Sequence, residues 1–120
     1  MSHMGAMSWI FSINPWLTLV VAGLLEVLWA SGLKSVGPQR PLTSLGVLVA
    51  LAGSMVLLWA ATQKLPIGTA YAVWTGIGAV GAAVVGILVY GEPATAVRAM
   101  CILLIVAGIV GLKLFSGAAG

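Results

Sequence analysis

A chain of 120 residues that is 62% hydrophobic, with five basic and two acidic side chains, cannot cover a soluble surface. The same scarcity of polar sequence excludes disorder, and a mean hydropathy of +1.20 makes lipid the expected solvent for most of the surface. The charges are scattered to a net +3 and form no patch for nucleic acid. With no phosphate-binding loop, metal-ligand cluster or nucleophile constellation, neither an enzyme nor a cofactor is expected.

The opening Met1-Ser2-His3-Met4-Gly5-Ala6 reads as an expression-tag remnant, which leaves 7–120 as one four-helix transmembrane domain. Residues 9–13 are expected along the membrane interface. Asn14-Pro15 supply a cap and a first-turn proline for a helix over about 16–34. Gly37-Pro38-Gln39-Arg40-Pro41 breaks the chain before a second apolar run over 42–62, and Gln63-Lys64-Leu65-Pro66 turns it tightly into a third over 67–90. Gly91-Glu92-Pro93 precedes the fourth, over 95–115. A bilayer span takes roughly 20 residues, so four spans and their turns consume nearly the whole chain. Trp9, Trp16, Trp59 and Tyr90 fall near span ends, where aromatic belts form.

With four spans, Lys64 and Lys113 lie on one side of the membrane and Lys34, Arg40 and Arg98 on the other. That bias is too weak to dictate orientation under the positive-inside rule. A chain that inserts both ways can pair as an antiparallel homodimer around one midplane site, the arrangement larger transporters reach with inverted repeats. Four short helices are in any case too few to enclose a substrate path.

Glu26, near the middle of the first span, is the key position. A carboxylate there costs several kcal/mol, about 3 on insertion scales, and so demands a function or a partner. Lys34 and Lys113 are the candidate structural partners, but both sit near span ends, where lysine snorkels to the interface. A buried carboxylate that holds either a proton or a cation, but not both, is sufficient for exchange. Trp29 follows Glu26 at i+3 on one helix face, and Tyr71 and Trp74 repeat that spacing on the third helix. These rings suit lipid contact or core packing equally well; beside an acid they suit a cation–π lining, with Ser54 and Tyr71 able to hydrogen-bond the carboxylate. Gly76 and Gly78 allow either close helix packing or a hinge. Ala107, Gly108 and Gly111 suggest a packing face, Lys113 a headgroup anchor, Glu92 and Arg98 solvated loop charges, and Cys101 a small apolar packing residue.

Two long ungapped stretches carry a resemblance. Glu26-Val27-Leu28-Trp29-Ala30-Ser31-Gly32-Leu33-Lys34 and Leu65-Pro66-Ile67-Gly68-Thr69-Ala70-Tyr71-Ala72-Val73-Trp74-Thr75-Gly76-Ile77-Gly78-Ala79 are similar to the small multidrug resistance family. Trp29, the stretch around Gly76 and Gly111-Leu112-Lys113 resemble its guanidinium-exporter branch. The resemblance implies an antiparallel homodimer in the bacterial inner membrane that exchanges guanidinium-type cations for protons. It places the shared proton and substrate site on Glu26, lined by Trp29, Ser54, Tyr71 and Trp74. A broader exporter of quaternary ammonium compounds has the same fold. A non-transporting subunit that only assembles with a paralogue would show a strong loop-charge bias and lack the acid.

Overall fold

Asn14 opens the first helix: its side chain accepts the Trp16 N–H at 2.9 Å, and Pro15 occupies the first turn, where an N–H would go unpaired. The computed structural model describes residues 14–115, so the expected tag remnant at 1–6 and interfacial stretch at 9–13 lie outside the described residues. Helix α1 runs Pro15–Ser31, and a single 3-10 turn, Leu33–Ser35, follows Gly32. Helix α2 runs Pro41–Thr62, again entered through a proline. Helix α3 runs Ile67–Leu88 and α4 runs Ala96–Phe115. All four are long and apolar enough to cross a membrane. The protein is therefore a multi-pass, all-helical membrane protein.

The turns explain why the helices stop. Gly91 takes φ +67, in the left-handed region that glycine enters without steric cost, and turns the chain after α3. The Glu92 N–H then bonds the Gly86 carbonyl at 3.0 Å, and the Thr95 hydroxyl accepts the Arg98 N–H at 3.2 Å to cap α4. Glu92 and Arg98 form an ion pair at 3.1 Å across this turn, where sequence alone suggests solvated charges. The first helix ends at Ser31, short of the 34 expected from hydropathy, because the chain tightens into the 3-10 turn.

Helix α1 is the hub. It packs against α2 on one side and α3 on the other, while α4 rests mainly against α3, reaches α1 where the Lys113 ammonium lies 4.8 Å from the centre of the Trp16 ring, and has no buried residue. The thinnest extent of the subunit is 16 Å, less than two helix diameters of about 10–12 Å. A slab this thin has little interior. Its core, around Leu19, Ala22, Leu58, Ala61, Leu65, Ala70, Val73 and Trp74, gathers toward the α2–α3 turn. Small residues bring the backbones close, as membrane helices require when no hydrophobic force drives them together. Cys101 is exposed on α4, not packed inside.

Candidate functional site

Glu26 stands at the centre of the span Pro15–Ser35 and leans on α3. The contact exists because position 78 is glycine: a Cβ there would collide with the Glu26 carboxyl group. One turn further along, Gly81 meets Val27 in the same way, and in the other direction Gly23 of α1 admits Ile77. The two helices thus interlock through alternating bare positions, and the carboxyl group occupies one of the notches. Gly76 performs the same service for α4, since a Cβ there would press on Ile109 at 2.8 Å.

The polar residues expected around the acid divide into two groups. Ser54 is fully buried; its hydroxyl donates to the Ala22 carbonyl at 2.7 Å and accepts the Trp74 indole N–H at 2.9 Å. In an α-helix the Ala22 carbonyl is also the acceptor for the Glu26 N–H, one turn on. Ser54 and Trp74 therefore fix the backbone on which Glu26 stands and do not bond its carboxylate. Tyr71 extends this chain, meeting Trp74 edge-on with ring centroids 5.4 Å apart, and is 56% exposed. Of the two hydroxyls expected to be able to bond the carboxylate, that of Ser54 is instead committed one turn away, to the Ala22 carbonyl and the Trp74 N–H.

The second group is unsatisfied. Glu26 Oε1 and Trp29 Nε1 are buried and have no hydrogen-bond partner within the subunit. A buried acceptor and a buried donor left open cost about 1–3 kcal/mol each, more for a charged group. The arrangement is a carboxylate with lone pairs to offer, seated in an interhelix notch at Gly78, with Trp29 one turn further along the same helix. It suits a flat cation with several N–H donors.

The Ala22 carbonyl is invisible to a reading of side chains, yet it anchors the Ser54–Trp74 pair. The notch at Gly78 was partly legible, since Tyr71, Trp74, Gly78 and Gly81 fall at spacings of three and four along one helix stripe. A contact between the ends of α1 and α3 gave no signal beyond an aromatic at a span end: the Tyr90 hydroxyl donates to the Ser31 carbonyl at 2.6 Å.

Residues 14–105 match the family described as Small Multidrug Resistance protein. The chain is 58% identical to the guanidinium exporter of Yersinia pseudotuberculosis over 102 residues, 84% of this chain and 98% of that protein. It is 56% identical to the guanidinium exporters of Salmonella typhimurium and Escherichia coli K12 over 100 residues, 82% of this chain and 95% of each. This chain belongs to the small multidrug resistance family of bacterial inner-membrane proteins.

Proposed function

We propose that the protein is a proton-coupled antiporter that exports guanidinium-type small cations, working as an antiparallel, dual-topology homodimer. The observation that carries this reading is the mid-span Glu26 carboxyl group, with Oε1 buried and unpartnered on a subunit too thin to enclose it. Guanidinium is planar and presents paired N–H donors that a carboxylate can accept bidentately. A proton on the same group removes the charge that the cation needs, so each ligand expels the other. Trp29, Tyr71 and Trp74 offer ring faces to a cation. Ser54 holds Trp74 and the α1 backbone in register for them. Gly76 and Gly78, where α3 has no side chain, let that helix yield as the site changes the side it faces. On this reading 7–120 act as one domain, and 1–6 have no part in it.

The 55–58% identity to proteins named guanidinium exporters supports guanidinium over bulkier cations as the substrate. The test is purified protein in liposomes carrying a lumenal pH dye. An outward guanidinium gradient should drive saturable proton uptake, and the effect should weaken as protons outcompete the cation at lower pH. A response to tetramethylammonium but not to guanidinium would assign a quaternary ammonium exporter instead. No response to either, from an intact dimer, would leave an assembly subunit.

A further inference from the structure

The two ends of the α1–α3 pair are held by different means. Toward the α2–α3 turn lie Leu19, Ala22, Ala70, Val73 and Trp74, all nearly inaccessible. Beyond Glu26 and Gly78, toward the opposite membrane face, neither helix has a buried hydrophobic side chain. The helices there touch through Val27 on the bare Gly81, and then at their ends through the Tyr90 hydroxyl on the Ser31 carbonyl at 2.6 Å. Lys34, in the turn after α1, places its ammonium 4.8 Å from the centre of the same Tyr90 ring. Tyr90 is in turn fixed to α3, because its N–H bonds the Gly86 carbonyl at 3.1 Å. Past α3, Gly86 seats the Glu92 carboxyl group, which pairs with Arg98 of α4.

One hydroxyl and one cation–ring contact thus close the end of the α1–α3 interface that lacks a core. Regions with few buried contacts are those that open most readily. We propose that Tyr90 is a latch: its bond to the Ser31 carbonyl closes the route from Glu26 to that membrane face and sets the rate at which the site changes sides. Resting on the exchange reading above, the latch has a defined kinetic signature. In an antiparallel pair related by an axis in the membrane plane, the two facing states are one arrangement with the copies' roles exchanged. The latch is then closed in one copy and open in the other in both states, and contributes equally to each. During the swap one latch must open before the other closes, so its strength enters the barrier and leaves the equilibrium alone. Removing one neutral hydrogen bond should therefore speed exchange, about three- to fivefold at an interfacial position.

The experiment compares wild type with Tyr90→Phe, which keeps the ring over Lys34, and with Lys34→Gln, which keeps the hydroxyl. Guanidinium-driven proton uptake gives turnover, and equilibrium guanidinium binding by isothermal titration gives affinity. Tyr90→Phe should raise turnover about three- to fivefold with affinity unchanged, and Lys34→Gln should raise it about twofold. A turnover that stays the same or falls in Tyr90→Phe, while wild type exchanges normally, overturns the latch and spares the exchanger. A loss of turnover and affinity together also overturns it, as a merely structural role for Tyr90. Absence of exchange in wild type sinks the exchange reading itself.

Discussion

Helices α1 and α4 are both long and apolar enough to cross a membrane, and α4 is the more apolar of the two. Yet α1 buries Thr18, Leu19, Ala22 and Gly23, whereas α4 buries nothing. In water the order would be reversed, because the most hydrophobic segment would be the most deeply hidden. In lipid there is no such force between helices, so position is set by shape and polar groups. Helix α1 is central because Gly23 admits Ile77, its Ala22 carbonyl receives Ser54, and its one carboxyl group needs the notch at Gly78. Helix α4 offers smooth aliphatic faces, and Gly108 and Gly111 look onto open space. Hydrophobicity puts a helix in the membrane; small residues and hydrogen bonds decide what it touches.

The largest effect is expected at Glu26. Glu26→Gln keeps the shape of the side chain but can neither charge nor release a proton, so guanidinium-driven proton uptake should fall below about 1% of wild type, a loss of more than ~2.7 kcal/mol on the scale of 1.36 per tenfold. Under the proposed pairing, cross-linking should still yield a dimer. If the glutamine variant still exchanged, α1 would be central for packing reasons alone. Gly78→Ala comes next. The new methyl group displaces the carboxyl group from its notch, and exchange should drop about tenfold or more, as expected for a catalytic or binding group moved by about 1 Å.

Paired truncations sharpen the contrast between the two helices. Leu19, with no exposure, should cost about 2–5 kcal/mol when cut to alanine. Leu103 on α4, 65% exposed, should cost within about 0.5 kcal/mol for the same cut. Equilibrium unfolding in mixed detergent would read both, and equal costs would show that α4 packs as tightly as α1. Between these lies Ser54→Ala, which strands the buried Trp74 N–H and should destabilise by about 1–3 kcal/mol. It should also shift the emission of Trp74, a change that cavity formation without loss of the hydrogen bond would not produce.

The four spans were legible because proline, glycine and charge interrupt the apolar runs at Asn14-Pro15, Gly37–Pro41, Gln63–Pro66 and Gly91-Glu92-Pro93, each with a backbone reason to stop a helix. Glu26 stood out because a carboxylate in lipid is costly wherever it sits. Partners were harder to read. The spacing of Trp29, Tyr71 and Trp74 shows which positions share a face, but the hydroxyl of Ser54, expected to be able to bond the carboxylate, did not take it. It took a main-chain carbonyl 32 residues away, which no residue type announces. Helix ends blurred for a related reason: Leu33 and Val89 are as apolar as a helix interior, so hydropathy runs past Ser31 and Leu88, where the backbone already turns.

A subunit only 16 Å through its thinnest direction has a genetic consequence under the proposed pairing. Each copy supplies only part of the wall around either carboxyl group, so a damaged copy spoils the good one it meets. Cells making equal amounts of wild-type and Glu26→Gln chains, paired at random, would keep only about a quarter of their dimers wholly normal. The mutant allele would act as a dominant inhibitor, and resistance to the exported cation would fall further than the halved dose of good chain alone would cause.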